Sequence, residues 1–310
     1  MSQLTAFPGR PVVFGETLFD CFEEGPPVLG GAPFNVAWHL QGFGLKPHMI
    51  TRVGDDGLGR RVTEAMTGWG MDLTGVQVDP EKPTGSVSVT LVDGQPSYVI
   101  NPNQAYDFIN WAEADQRLRR CESPMAVLIH GSLALRESVS RQTLFGMRVK
   151  RKPRLFVDIN LRDPWHNPDD VRQMLDGAHD VKLNDHELAY LQGCDIDDEE
   201  ELLEAARALL ERHGNQRIVL TRGEAGAMII SVKEAAQARA AAVDVADTVG
   251  AGDAFSSVCV IGRILGWPDA VTVQRAVDFA ADICIQRGAT APDTALYARH
   301  LEQWGHNNPQ

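Results

Sequence analysis

The densest chemistry in the sequence lies late, in Asp247-Thr248-Val249-Gly250-Ala251-Gly252-Asp253-Ala254-Phe255. Ala254, Val258, Ile261 and Leu265 follow at helical spacing and predict a helix over 251–265 with one apolar face. Gly250, Ala251 and Gly252 then stand at a helix N-terminus. Glycine lets a ligand approach the backbone closely, and the first-turn N–H groups lack intrahelical partners. With the helix dipole they make an anion site, suited to a phosphate. Asp253 lies beside it, where a simple anion receptor has no use for a carboxylate. A phosphoryl-transfer site does: a hydroxyl must be oriented and relieved of its proton. A weak base is enough when positioning and charge stabilisation carry the reaction. The helix dipole should also lower the Asp253 pKa and keep it ionised. Taken alone, Gly-Ala-Gly-Asp reads more readily as a tight turn into a helix; the rest of the chain weighs against that. There is no Gly-Lys dipeptide, hence no G-x-x-x-x-G-K-[ST] loop, and Gly250-x-Gly252 lacks the third glycine of a dinucleotide fingerprint.

The elements that must position these residues follow from periodicity. Short apolar runs at 12–15, 48–53, 126–130, 155–159, 181–183 and 218–221 predict strands. Helical patterns at 138–150, 168–177 and 199–213 separate the last four, so a parallel sheet covered on both faces is expected. Helices are also expected at 251–265, 270–286 and 294–304. Two segments break the rhythm, 17–29 and 84–107. In the second, Val87, Val89 and Leu91 alternate with Ser88, Thr90 and Val92, and Asp93-Gly94 supplies a hairpin turn. These pieces form either a small projecting sheet, a lid, or an edge hairpin of the main sheet.

Composition sets limits. The chain has 310 residues, 44% hydrophobic, with a formal net charge of −13 and no long basic run, which argues against nucleic acid as a partner. The run Arg148–Arg154 reads as a solvated helix end. No apolar stretch reaches the ~18 residues of a membrane span, and Met1–Arg10 does not resemble a signal peptide, so the cytoplasm is expected. Five cysteines, at 21, 121, 194, 259 and 284, form no C-x-x-C pair and read as free thiols. His39 and His186 suggest no metal cluster and are expected at the surface or in caps.

Four motifs in order resemble the ribokinase-like, or PfkB, family of carbohydrate kinases, and within it most closely the fructokinases. Asp247–Asp253 is similar to the family's C-terminal signature, Gly30–Ala37 to its N-terminal glycine signature, Arg52–Gly59 to the segment that follows, and Asn184-Asp185-His186-Glu187 to its N-x-x-E element. The resemblance covers essentially the whole chain and implies one kinase domain over 1–310. The implied α/β fold is a central, mostly parallel sheet flanked by helices, with a small β-sheet lid built from about 17–29 and 84–107. It implies ATP-dependent transfer of a phosphoryl group to a sugar hydroxyl. Asp253 would be the base, and Gly250, Ala251 and Gly252 the anion hole. Asp20, Gly30, Gly31, Asn35 and Asp107 would contact the sugar. Asn184, Thr221, Gly223 and Gly226 would contact ATP. Glu187 would hold Mg²⁺ through water, and Asp247 a monovalent cation such as K⁺.

Ala32-Pro33 and the stretch Asp158-Ile159-Asn160-Leu161-Arg162 with Trp165 are similar to fructokinases. Asp158 and Arg162 could equally be a simple ion pair at a strand end. Asn101-Pro102-Asn103-Gln104-Ala105-Tyr106-Asp107 departs from the family, because a Tyr is interposed before the Asp. Val277 stands where the family often has an Asn near adenine. Other expected acceptors are 2-keto-3-deoxygluconate, ribose or a nucleoside. A non-catalytic sugar- or nucleotide-binding protein on the same fold is the reading from another class, and the intact Asp253 and glycines argue against it. The lid hairpin has edges that a second copy could cover, which is compatible with a homodimer.

Overall fold

The computed structural model describes residues 9–92, 95–119 and 124–305. The Asp93-Gly94 turn, Cys121 and the start of the N-terminal segment lie outside these residues.

Thirteen strands are described: β1 (Arg10–Phe14), β2 (Leu18–Phe22), β3 (Val28–Gly30), β4 (His48–Gly54), β5 (Val76–Asp79), β6 (Gly85–Val92), β7 (Gln95–Ile100), β8 (Met125–His130), β9 (Leu155–Asp158), β10 (Asp180–Asn184), β11 (Arg217–Thr221), β12 (Ala227–Ile230) and β13 (Ala235–Ala238). Nine of them form one sheet in the order β13-β12-β11-β10-β9-β8-β1-β4-β5. From β11 to β5 every pairing is parallel; β12 and β13 close one edge antiparallel. The helices are α1 (Ala32–Gly42), α2 (Gly57–Gly68), α3 (Trp111–Arg119), α4 (Ser138–Arg151), α5 (Pro168–Leu175), α6 (Asp185–Gln192), α7 (Glu199–His213), α8 (Ala251–Leu265), α9 (Asp269–Cys284) and α10 (Thr294–Gly305).

Strand side chains alternate between two cores. Val13, Ile129 and Phe156 pack with α1, α2, α8, α9 and α10; Val12, Leu128, Val157 and Val181 pack with α3 to α7. Burial on both faces is why these strands read as continuous apolar runs. The six strands expected from those runs and the six expected helices are all present, with ends shifted by at most two residues.

The segments that broke the rhythm form a separate sheet, ordered β3-β2-β6-β7. β2 runs parallel to β6, so the 84–107 hairpin is not an edge of the main sheet. Val87 and Val89 point inward, while Asn101 Nδ2 donates to Ser86 Oγ at 2.9 Å on the polar side.

Two expectations are corrected. α8 is not amphipathic: Ala254–Gly262 are all buried, because the helix is enclosed between the sheet, α1 and α9. Its serines are satisfied internally, Ser256 Oγ donating to Asp158 Oδ2 at 2.9 Å and Ser257 Oγ to Ala254 O at 2.6 Å. His39 is not at the surface. It is fully buried against Tyr297, its Nδ1 lying 2.9 Å from that hydroxyl, and burial lowers its pKa to about 3, so it stays neutral. His186, by contrast, is exposed, and the Arg148–Arg154 run does end α4.

The α8–α9 contact sets a test of packing. A Cβ on Gly262 would lie 2.5 Å from Thr272 Oγ1. Overpacking of this kind costs about 1–3 kcal/mol. Gly262→Val should therefore lower the melting temperature by several degrees; an unchanged thermal transition would show that the two helices separate freely.

Candidate active site

Parallel strands point their C-terminal ends the same way, and crevices form where the chain reverses direction along the sheet. Here β1 is followed outward by β4 and β5, and the chain then returns to the other side of β1 as β8. At this edge β1 delivers Glu16, β9 delivers Asp158, Asn160 and Arg162, β10 delivers Asn184, and β11 delivers Thr221. The N-terminus of α8 faces the same crevice.

Gly250 caps α8 in the left-handed conformation, φ 81°, with no side chain covering the first turn. A Cβ there would lie 2.4 Å from the Cβ of Ala289, so only glycine lets the turn lie on that loop. Asp247 fastens the two together: its Oδ1 accepts from Val249 N and its Oδ2 from Gly288 N, both at 3.0 Å. Ala251 N donates to Thr248 O at 3.3 Å and the first intrahelical bond runs from Ala254 N to Gly250 O, which leaves the N–H groups of Gly252 and Asp253 without a backbone acceptor and open to a ligand.

Asp253 keeps a little accessible surface but is packed on all sides. Asn35, in the first turn of α1, donates from Nδ2 to Asp253 Oδ2 at 2.7 Å. Gly31 makes this approach possible. Its φ is 108°, and a Cβ would meet Glu16 O at 2.8 Å. Burial, then repulsion from Asp158, pushes the Asp253 pKa up to about 7, against the pull of Asn35, Lys182 and Arg162. This corrects the expectation that the helix dipole would lower it: loss of water outweighs the dipole at so enclosed a position.

Lys182 was not anticipated. It sits mid-strand in β10 and is buried on the α8 side, its Nζ 3.0 Å from Asp158 Oδ1. Burial alone would lower its pKa, but Asp158, Glu187 and Asp253 outweigh that and hold it above the ordinary value. A Cβ on Gly252 would stand 3.3 Å from this ammonium, so the second glycine leaves room for a cation under the turn. Asp158 therefore pairs with Lys182 and not with Arg162, which is exposed. The visible signal was a lysine flanked by Val181 and Leu183 in a strand expected to be buried on both faces.

Asn184 and Glu187 form a capping box at the start of α6. Asn184 Oδ1 accepts from Glu187 N at 2.7 Å and Glu187 Oε2 from Asn184 N at 2.9 Å; Glu187 Oε1 accepts from Leu161 N at 2.8 Å. Asn184 is in register with Thr221 on β11, and Gly223 (φ 53°) and Gly226 (φ 91°) shape the loop that follows. Among the described residues no three His, Cys, Asp or Glu side chains converge to hold a metal ion. Mg²⁺ that keeps most of its waters and binds mainly to substrate phosphates needs no such cage, so Asn184 and Glu187 fit an outer-shell role.

On the small sheet, Asp20 is half-buried, and burial raises its pKa against the field of Arg162. Gly30 ends β3 beside Asn35. The structure thus gathers Asp253, Gly250, Ala251, Gly252, Asn35, Gly30, Gly31 and Asp20 about one crevice, with Asn184, Glu187, Thr221, Gly223 and Gly226 along the neighbouring strand ends. Asp107 stands apart from them in its contacts. It is fully buried, and its two oxygens receive Arg136 Nε and Nη2, each at 2.8 Å, with Gln104 N at 2.9 Å. Val277 lies in the core of α9.

Against this geometry, comparison with known proteins is informative. A family model described as pfkB family carbohydrate kinase matches residues 26–295. The chain is 29% identical over 281 residues to a fructokinase of Klebsiella pneumoniae, covering 84% of this chain and 87% of that one. It is 30% identical over 270 residues to fructokinase-2 of Solanum lycopersicum, covering 80% and 79%. Among solved structures, it is similar to the fructokinase of Vibrio cholerae O395 in its fructose-, ADP- and calcium-bound form. The TM-score is 0.78 at 25% identity, over 94% of this chain and 99% of that one.

The burial of Asp253 carries a stability signature. A carboxyl whose pKa is raised on folding binds more protons folded than unfolded, so its stabilising contribution is full below the unfolded value and is lost as pH rises towards about 7. Asp253→Asn, which cannot ionise, should gain melting temperature relative to the parent as pH is raised from 5 to 8. A difference that stays flat over this range would mean that Asp253 titrates as an ordinary surface carboxylate.

Proposed function

The chain belongs to the pfkB family of carbohydrate kinases and is an ATP-dependent sugar kinase, and from that premise we propose that its acceptor is fructose, activated by Asp253. The observation that carries this reading is the buried Asp253 carboxylate at the uncapped N-terminus of α8, held by Asn35. The fructokinases among its relatives support the choice of sugar.

In this scheme the sugar hydroxyl lies against Asp253, which accepts its proton as the oxygen attacks. A pKa near 7 suits the task, since a substantial fraction of the base is free at neutral pH and it is still basic enough to take the proton. The turn Gly250-Ala251-Gly252 receives the charge of the transferring phosphoryl group through its unpaired N–H groups, while the long bond from Ala251 N to Thr248 O would have to yield for Ala251 to join them. Lys182 lies beneath them and offsets the carboxylates Asp158 and Asp253. Asn35 holds Asp253 in place by one short bond. Asn184, Thr221, Gly223 and Gly226 line the path of the nucleotide. Mg²⁺, when bound, neutralises the phosphates; Asn184 and Glu187 would hold it through water. Asp247 would orient the neighbouring carbonyls about a K⁺ ion.

The small sheet acts here as a lid over the sugar, within a single kinase domain, and excludes water as a competing acceptor. Asp20 is its polar contact with two sugar hydroxyls.

The acceptor is tested by ADP release across fructose, tagatose, ribose, 2-keto-3-deoxygluconate and nucleosides. The expected outcome is highest kcat/KM on fructose; a tenfold preference for any other member would replace fructose with that acceptor. Asp253→Asn should leave sugar and ATP binding within a few-fold and lower kcat by about 10²–10⁴. In the parent enzyme kcat/KM should rise with pH through about 7 and then level, as the carboxyl ionises. A mutant that turns over normally removes Asp253 from the mechanism.

Asp20→Ala should raise the sugar KM by about ten- to hundredfold, the equivalent of a hydrogen bond to a charged acceptor, with ATP affinity little changed. Loss of ATP affinity with an unchanged sugar KM would show that the small sheet does not cover the sugar.

A further inference from the structure

Three buried polar groups near Asp253 have no part in the scheme above. Glu16, in the bend between β1 and β2, is 3% exposed, and its Oε2 has no hydrogen-bond partner. The charges that act on it most are Asp253, Arg162 and Arg136. The Arg136 side chain is also 3% exposed. Its Nε and Nη2 serve Asp107, and Nη2 also donates to Asn101 O at 2.7 Å, which leaves Nη1 buried and unpartnered. The guanidinium is clasped between the rings of Tyr106 and Trp165, at 5.1 and 4.4 Å. The Tyr106 hydroxyl is buried without a well-formed hydrogen bond; its polar neighbour is the Arg136 guanidinium, which is close enough to interact with it, and Glu16 acts on it from further off. A buried donor or acceptor left unpaired is costly, and native proteins leave few of them. Here an acceptor, a donor and a hydroxyl from three separate stretches of chain are left over in one neighbourhood, and Asn35 Oδ1 beside Asp253 is a fourth.

We propose that Glu16, with the free Nη1 of Arg136 and the Tyr106 hydroxyl, forms a polar end wall of the acceptor pocket that binds a neighbouring pair of hydroxyls on a neutral sugar and rejects sugar acids. One hydroxyl donates to Glu16 Oε2; the adjoining oxygen accepts from Arg136 Nη1. These hydroxyls belong to carbons other than the one phosphorylated.

The charge balance selects the class of ligand. The charge of Arg136 is matched by Asp107, and that of Lys182 by Asp158. Arg162 is exposed at the mouth and forms no ion pair among the described residues, and the carboxylates of Asp20, Glu16 and Asp253 all feel it. An acceptor with its own carboxylate would add negative charge to a cluster in which burial already disfavours the ionised forms of Glu16 and Asp253. Neutral hydroxyls add none and satisfy the orphaned atoms. Burial already pushes the Glu16 carboxyl up to about 7; hydroxyl donors favour its ionised form.

This assignment rests on the kinase reading with Asp253 as base, and the test separates the two. Glu16→Gln keeps the shape and removes the charge. For the best neutral sugar its KM should rise tenfold or more, with the KM for ATP within about threefold. The ratio of kcat/KM for that sugar over 2-keto-3-deoxygluconate should fall at least tenfold. Direct calorimetric titration of the sugar onto the ADP-bound protein should show the same loss. Unchanged sugar KM and unchanged selectivity overturn the end wall. So does a parent enzyme that prefers the sugar acid. If the parent prefers ribose or a nucleoside, the fructose reading fails alone, and the same comparison runs on that neutral acceptor. Should Glu16→Gln not fold, as judged by its melting curve, Glu16→Asp, which keeps the charge but withdraws it, must weaken sugar binding likewise; full affinity in that variant overturns the proposal.

Discussion

The hydrogen bond from Asn35 to Asp253 spans 218 residues of chain, and both halves of the molecule are arranged around it. For it to form, α1 must enter the crevice at its first turn, which requires the left-handed Gly31 against the backbone of Glu16. α8 must start at the same height, which requires Gly250 against Ala289. The loop bearing Ala289 is held in turn by Asp247, while nearby Ala291 O receives Trp38 Nε1 at 2.9 Å and the Tyr297 hydroxyl at 3.1 Å. Trp38 lies on α1, so the helix that supplies Asn35 also steadies the loop beneath the glycine turn. The two glycine signatures are thus two sides of one contact.

The site concentrates negative charge where little water reaches. Asp253, Asp158 and Glu187 surround Lys182, which enters from the centre of the sheet. A buried cation is tolerated only when paired and hydrogen-bonded, and Asp158 does this while also receiving Ser256. The buried serine face of α8 and the break in the apolar pattern of β10 share that origin.

Much of this was legible in the sequence. Parallel strands buried on both faces leave unbroken apolar runs, so their strands and intervening helices could be read almost to their ends. The glycine turn was legible only together with the other motifs, since Gly-Ala-Gly-Asp alone reads as a tight turn into a helix. What stayed hidden has local reasons. β13 is Ala-Ala-Gln-Ala, with no branched or aromatic residue to mark a strand, and β5 and β12 are four residues each. The enclosure of His39 and the pKa of Asp253 depend on neighbours far away in sequence, which no local pattern reports. The pairing of Asp158 with Lys182 instead of Arg162 was hidden for the same reason: adjacency in space across β9 and β10 outranks spacing along one strand.

The parallel pairing of β2 with β6 has a consequence for how the chain reaches its final form. Leu18 is registered on Gly85, so the whole of α1, β4, α2 and β5 lies inside the loop that this pairing closes. Closing a long, unstructured loop is entropically unfavourable, and the cost falls once its contents have condensed. The order of assembly is therefore biased by topology. The central strands and their helices come together first and draw the ends of the loop near each other, and the small sheet over the crevice is completed on a foundation already in place.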